Sequence, residues 1–458
     1  MTEFNAIDRL HRLEKLLLQT GEARSPEEAR RILASYSMQF VAGPEIKASS
    51  ALQVALLTAV NTARRAVHGE VRVIGESASP LLVPIPGCQT VGEAVKLLGG
   101  TVATAASTAP ALLLGTVGHP DLRIALRVVC RGWAGGVVPA DDAGFELDEG
   151  ATTLAGAIAG AVGVSELFQS LRGMNPRAGL RSLGYSAWGP GTHWMRQEAL
   201  GPQLEYLPTS LWVVGLGHLG QSLVWNLGFL PYSDPAALKL VFQDFDRLTP
   251  ANVSTSPLAF DSGLGQMKTR VAAMWAERIG FRVRLVERAF AADFTPNSDE
   301  PRLAFCGVDN LAARAALEAP GFEAIVEAGL GTGEEYHAFQ LHTFPGPEKA
   351  AERWVAPRGQ QNTEWTEGFD RLAKSEELDD CGKTELAGLQ VASSYVGVVT
   401  SALAIGQMLR PLHGAPMHAS VSGTLGSSGA PSTVIGLVGR RAPRYGNVAA
   451  AAPLVGTG

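Results

Sequence analysis

LWVVGLGHLGQSLVWNLGFL, residues 211–230, reads as an apolar strand, a glycine turn and the opening of an apolar helix. The turn is Gly215-Leu216-Gly217-His218-Leu219-Gly220. Strand, turn and helix in this order form the context that a phosphate-binding GxGxxG requires. Glycines allow a tight turn and close backbone approach, and the helix start offers free N–H groups with positive partial charge. His218, inside the turn, is expected to line the nucleotide pocket. Downstream, KLVFQDFD (239–246) is a second strand, and its Asp244 lies 24 residues past Gly220. A carboxylate there can accept hydrogen bonds from ribose hydroxyls. Up to this point a nicotinamide dehydrogenase fits equally well.

The continuation separates the two. A dehydrogenase needs no second acid at Asp246, no Asn252 six residues later, no Lys268 in a GxxK context, and no acid in CGVDN at Asp309. Chemistry at the phosphates of ATP does use such groups, because Mg²⁺ takes carboxylate and phosphate oxygens and a lysine offsets charge as pyrophosphate leaves. GLGHLG, QDFDRLTPAN, SGLGQMK and CGVDN, in that order, resemble the ThiF/MoeB/ubiquitin-activating superfamily of adenylating enzymes. The resemblance covers about 196 to 410, including an Arg196-Gln197 lead-in and a closing helix.

This resemblance implies ATP and Mg²⁺ as cofactors and assigns roles residue by residue. Gly215, Gly217 and Gly220 would cradle the nucleotide, Asp244 would hold the ribose, and Asp246 and Asn252 would organise the site around the phosphates. Lys268 would contact the phosphates and Asp309 would bind Mg²⁺. Each has a plainer alternative: a solvated strand end for Asp246, a turn former for Asn252, a surface lysine for Lys268, a helix cap for Asp309. Two departures stand out. The family's Arg-Gln after the asparagine is replaced by Val253-Ser254-Thr255-Ser256, so a phosphate-facing arginine is missing there. The CxxC zinc staple of the MoeB and ThiF type is absent as well, because the cysteines at 88, 130, 306 and 381 form no such pair.

Working outward, 458 residues suggest two to four domains. A 46% apolar and 18% charged composition can bury a sizeable core. A net charge of −6 without a long basic block argues against gripping nucleic acid. The charged N-terminus is no signal peptide. The uncharged stretch 391–409 contains enough Ser, Thr, Gly and Gln to read as a buried core helix rather than a membrane span. A cytoplasmic protein without membrane or nucleic-acid partners is the expectation.

The first half also alternates strands and helices. Residues 6–38 read as helical, with Ser25-Pro26-Glu27-Glu28 as a helix start. VRVIG (71–75), 111–118 and 122–130 read as strands, and 91–100 as a helix. The small-residue run 152–171 reads as a closely packing helix like the one that closes the adenylation fold. No glycine-rich nucleotide turn or DxD follows any strand here. The expected fold class is therefore α/β, two Rossmann-like (ThiF-type) adenylation folds in tandem, the first lacking the nucleotide motifs. The domains are 1–190, inactive; 191–440, active, with a cysteine-bearing crossover segment at about 332–386; and a loosely ordered tail at 441–458. The polar stretch 173–193 is read as the junction. Among the first-half arginines, Arg123, Arg127 and Arg131 are candidates to reach across, with nothing selecting one.

In the family, the C-terminal carboxylate of a ubiquitin-like protein attacks the α-phosphate of ATP, and some members then form a thioester on cysteine. Cys381, in LDDCGKTELAG before the long C-terminal helix, is the candidate nucleophile. Lys383 favours its thiolate while Asp379 and Asp380 oppose it. Cys306, Cys88 and Cys130 read as structural, and His337 and His342 as packing residues rather than metal ligands. The expected activity is activation of a ubiquitin-like protein, thioester formation on Cys381 and transfer to a conjugating enzyme, in the manner of bacterial systems found in antiviral defence. Alternatives are adenylation of a sulfur carrier, or a scaffold whose site has decayed. A homodimer stays open.

Overall fold

The computed structural model describes residues 4–118, 122–142, 146–331, 335–355, 366–376, 391–426, 433–438 and 445–451. Two mixed sheets dominate it. The first comprises β1 (Met38–Ala42), β2 (Val71–Gly75), β3 (Thr101–Ala103), β4 (Ala111–Leu114), β5 (Ala125–Arg131), β6 (Ala134–Pro139) and β7 (Leu183–Ser186) in the order β3-β2-β1-β4-β5-β6-β7. A short strand β8 (Tyr206–Pro208) precedes the second sheet. That sheet runs from β9 (Ser210–Val214) through β10 (Lys239–Gln243), β11 (Arg282–Val286), β12 (Leu303–Cys306), β13 (Ala324–Leu330), β14 (Ala338–Phe344) and β15 (His418–Thr424) to β16 (Thr433–Leu437). Its order is β11-β10-β9-β12-β13-β14-β15-β16. The two orders coincide over seven strands, the second sheet adding β16 at its edge, and in each the first five run parallel while the fifth, sixth and seventh pair antiparallel. The chain is thus one strand plan used twice, with β1 and β9 in the same central place.

Helices follow from local signals. α1 (Ala6–Arg9), α2 (Arg12–Gln19) and α3 (Pro26–Ser35) open the chain, and Ser25 caps α3 by accepting Glu28 N–H at 3.2 Å. Residue 38, read as the end of this helical region, instead begins β1. α4 (Ser50–Ala66) is a 17-residue helix that the sequence reading passed over; it is buried almost all round, with polar residues such as Gln53, Thr58, Asn61 and Arg65 among its buried positions. α5 (Val91–Leu97) begins with a Thr90/Glu93 capping box. α6 (Thr153–Arg172) is long and apolar enough to cross a membrane, yet is buried inside the fold. It packs on α4 through glycines: a Cβ on Gly156 or Gly160 would lie 2.1 or 2.2 Å from the Ala51 or Ala55 carbonyl oxygen. The small-residue pattern therefore does bring two backbones close.

In the second half α7 (His218–Leu227) follows the glycine turn, and α8 (Pro250–Val253) and α9 (Lys268–Ile279) follow β10. Gly280 stops α9 at φ +111°. α10 (Leu311–Ala315), α11 (Ala350–Arg353), α12 (Glu367–Ser375) and α13 (Ser394–Leu409) complete it. α4, α6, α7 and α13 share the core between the sheets. Trp225 Nε1 on α7 donates to Thr58 Oγ1 on α4 (3.1 Å), and Tyr185 Oη on β7 donates to the Thr424 carbonyl (2.8 Å).

Three expectations change. The stretch 173–193 is not only a junction, because Leu183–Ser186 completes the first sheet as β7. The segment 332–386, read as hard to assign apart from the strand-like alternation of YHAFQLHTF, contains a sheet strand there, β14. The tail is not loose throughout: β17 (Asn447–Ala449) pairs antiparallel with β8, and buried Tyr445 donates its hydroxyl proton to the Met408 carbonyl at 3.0 Å.

Candidate functional site

β9 and β10 are parallel neighbours, so the turn after one and the acids after the other meet at the same sheet edge. Gly215 takes φ +85°, and a Cβ there would lie 2.8 Å from Val308. A Cβ on Gly220 would fall 1.9 Å from the Gly215 carbonyl oxygen, so only glycine lets α7 start against the turn. Gly217 is different. It caps α7 without a side chain, and the space where its Cβ would stand is open to 4 Å. An uncapped helix start facing open space is what an anion can fill.

Asp244 is buried and binds the turn from below: Oδ2 accepts Leu216 N–H at 2.6 Å and Oδ1 accepts Asp246 N–H at 2.8 Å. Burial pushes its carboxyl above the ordinary value, against the pull of Lys268 and of those two donors. Lys268, at the start of α9, donates Nζ–H to Asp246 Oδ2 at 2.7 Å, and its backbone N–H reaches the Asp246 carbonyl at 2.9 Å. The structure thus gathers the glycine turn, Asp244, Asp246 and Lys268. A cleft of about 290 Å³ adjoins Lys268, flanked by Arg247 and Arg270. Arg270 is held by Glu287 (2.7 and 2.8 Å) and Arg247 by the Gly265 carbonyl (2.8 Å).

Asp309 is exposed in the loop after β12, the other neighbour of β9, so it stands at the same edge. The helix cap there is Asn310, whose Oδ1 accepts Ala313 N–H at 3.0 Å, leaving Asp309 outside that role. Among the described residues no cluster of three or more His, Cys, Asp or Glu could hold a metal alone. One exposed carboxylate beside a phosphate cradle still suits Mg²⁺, which takes one or two carboxylates and completes its shell from phosphates and water.

Other expected site residues fall elsewhere. Asn252 turns its carboxamide oxygen back onto Thr249 N–H (2.9 Å), the turn-forming alternative. His218 does not line the cradle: its ring packs on Gly397 of α13, where a Cβ would lie 2.1 Å from Nε2, and burial pushes it down to about 4. Arg196 is exposed at the start of a short 3₁₀ turn. Cys381 lies outside the described residues. Cys306 is fully buried, and burial pushes its thiol up to about 12. His342 is buried with Nδ1 2.7 Å from Glu327, and His337 is buried.

Arg65, Arg172 and Arg181 of the first half reach into the second, the latter two through the Tyr336 hydroxyl (2.8 Å) and the Leu425 carbonyl (3.2 Å). Arg127 stays in its own half, on the Gly115 carbonyl at 2.8 Å. Arg65, from α4, enters the loop after Asn252: it donates to the carbonyls of Val253 and Pro257 (2.9 Å for the latter), to Asn61 Oδ1 (3.1 Å), and lies over Phe260. Burial pushes it down to about 9. Sequence reading missed it because α4 was not recognised as a helix.

The corresponding place in the first sheet holds a carboxylate. Glu45, just after β1, turns its carboxylate toward the loop after β4, accepting Thr116 N–H at 2.9 Å and standing 2.3 Å from a Cβ on Gly115. There the chain's own carboxylate bridges the loops after β1 and β4, whereas the residue at the same step after β9 is Gly217, with open space beside it.

Comparison with known proteins matches residues 37–187 to the BilD N-terminal domain and 207–415 to the BilD C-terminal domain. The first stretch spans the first sheet, and the second spans β9 to β14 of the second sheet and ends before β15. The chain is 39% identical over 420 residues to the "Bacterial E1-like protein BilD" of Collimonas sp. (strain OK412), covering 91% of each. Among solved structures, remote likenesses include E. coli tRNA N6-threonylcarbamoyladenosine dehydratase, TcdA, in complex with AMP (16% identity, TM-score 0.29, 45% of this chain and 86% of that one). Another is E. coli MccB (11% identity, TM-score 0.34, 50% and 62%).

Proposed function

From the premise that the chain belongs to the BilD family of bacterial E1-like proteins, we propose that it activates the C-terminus of a ubiquitin-like protein with ATP. The observation that carries this is the open, uncapped start of α7 with Lys268 and Asp309 at the same edge, set against the same step in the first half, where Glu45 bridges two loops. The second half is then the active unit, and the first an inactive partner that supports it through Arg65.

In this reading Gly215, Gly217 and the first N–H groups of α7 receive the phosphates, and Asp244 keeps the turn in shape while offering its remaining lone pairs to the ribose. Lys268 leaves Asp246 to meet the phosphates; because Asp246 is exposed, little is lost in the exchange. Asp309 would hold Mg²⁺, which supplies charge neutralisation at the phosphate oxygens. The carrier's terminal carboxylate oxygen attacks the α-phosphorus and the bond to pyrophosphate breaks. The thiolate of Cys381 then attacks the acyl carbon and AMP leaves, giving the thioester that a conjugating enzyme receives. A cavity of about 770 Å³ at the seam of the halves, lined in part by Gln169, Arg172, Tyr336 and Thr424, has room for an extended tail. A cytoplasmic setting and a role in antiviral defence complete the reading.

ATP–pyrophosphate exchange with a candidate carrier, read beside a non-reducing gel, tests it. Exchange plus a thiol-labile adduct that disappears in Cys381→Ala is the expected result. Exchange without the adduct favours sulfur-carrier chemistry, and neither exchange nor ATP binding favours a decayed scaffold.

A further inference from the structure

The outer face of the second sheet is apolar, packed with Trp212, Ile325, Phe322 and Phe344, but one row across it is not. Register places Cys306, Glu327 and His342 side by side on β12, β13 and β14, all buried. Glu327 Oε2 accepts the Nδ1–H of His342 at 2.7 Å, and Oε1 lies 3.2 Å from Arg314 Nε. The same Nε–H also meets the Val308 carbonyl at 2.8 Å. The guanidinium carbon lies over Trp354, 4.6 Å from the ring centre, and His342 meets that ring edge-on.

A fully buried carboxylate costs several kcal/mol to desolvate, and apolar packing of similar volume is often as stable or better. The network does not help this face pack more cheaply; what it does is fix Val308. That residue is the wall of the glycine turn, 2.8 Å from the Cβ that Gly215 lacks, and Gly307 before it donates N–H to Val214 at 2.9 Å. The next residue is Asp309.

We propose that Arg314, Glu327 and His342 are positioning residues that set the Val308–Asp309 wall of the nucleotide cradle. The proposal rests on the adenylation reading. Removing the charge of Glu327 frees the guanidinium from β13, lets Val308 drift, and misplaces Asp309 without touching the phosphates or the carrier.

Glu327→Gln keeps the side-chain shape and removes the charge. In ATP–pyrophosphate exchange we expect kcat to fall about 10-fold with KM for the carrier unchanged, and calorimetric titration of the ATP-bound protein to show half-saturation by Mg²⁺ raised at least 5-fold. Arg314→Lys, which keeps the charge but not the fork, should show the same pattern more weakly, and covers the case in which Glu327→Gln fails to fold. A role in stability alone lowers the folded fraction but leaves half-saturation by Mg²⁺ where it was, and that result overturns the proposal. Wild-type protein without exchange would instead count against the adenylation reading itself, so the two failures are told apart.

Discussion

Gly217→Ala separates a nucleotide cradle from a turn that merely packs a helix on a sheet. Its φ of −75° is not left-handed and nothing stands within 4 Å of where the methyl would go, but its ψ of −146° lies outside the usual β region. The folded protein should therefore lose the helix-cap preference for glycine over alanine plus some backbone strain, on the order of 1–2 kcal/mol together. That shifts the melting temperature by no more than about 2 °C in a chain of this size. If phosphate sits over this turn, the methyl occupies its space and lengthens the contacts to the α7 N–H groups. Losing two hydrogen bonds to a charged group, at about 1.5–3 kcal/mol each, weakens ATP binding by roughly 100-fold or more. Calorimetric titration with ATP and Mg²⁺, beside a melting curve without ligand, reads both quantities. Gly220→Ala is the contrast: its methyl would meet the Gly215 carbonyl at 1.9 Å, so stability and binding should fall together. ATP binding within twofold of wild type in Gly217→Ala would refute the cradle, and a collapsed melting temperature would refute the open space above it.

Lys268→Ala should change stability by less than about 1 kcal/mol, because its partner Asp246 is half exposed, while pyrophosphate exchange falls roughly 100-fold. Comparable losses in both would make the lysine a packing residue. Arg65→Met leaves the Val253 and Pro257 carbonyls buried without a donor, costing about 3 kcal/mol by differential scanning calorimetry and slowing exchange; Arg65→Lys should be intermediate. Exchange at the wild-type rate in Arg65→Met would detach the first half from the chemistry. Burial pushes His218 to about 4 and His337 to about 3, so both fold as neutral rings. Their contribution is present above the unfolded value of 6.5 and is lost as pH falls below it. Between pH 7.5 and 5 each should cost roughly 2 kcal/mol, and urea midpoints across that range check it. His337→Gln should flatten the slope.

The sequence alone was enough wherever a signal is local. VRVIG (71–75) carries its strand in β-branched residues, Ser25 and Gly280 mark a helix start and a helix stop through backbone hydrogen bonding and φ, and the ordered run from Gly215 to Asp309 announces its chemistry in residue type and spacing. It could not show what depends on partners distant in the chain. α4 is buried on nearly every side because α6 and the second half cover it, and its buried Gln53, Thr58, Asn61 and Arg65 blur any apolar face. β7 is a strand because β6 pairs with it, in a stretch otherwise rich in polar and turn residues. His218 reads as a pocket residue in the sequence, yet α13 covers it; Asn252 reads as an organiser of the site around the phosphates or a turn former, and its oxygen accepts Thr249 N–H. Arg65, 188 residues before Val253, could be matched to the loop it holds only in three dimensions. Residue type and spacing determine which chemistry a chain can carry; which side chain reaches which carbonyl is decided by packing, because burial energy is gained only between surfaces the completed fold brings together.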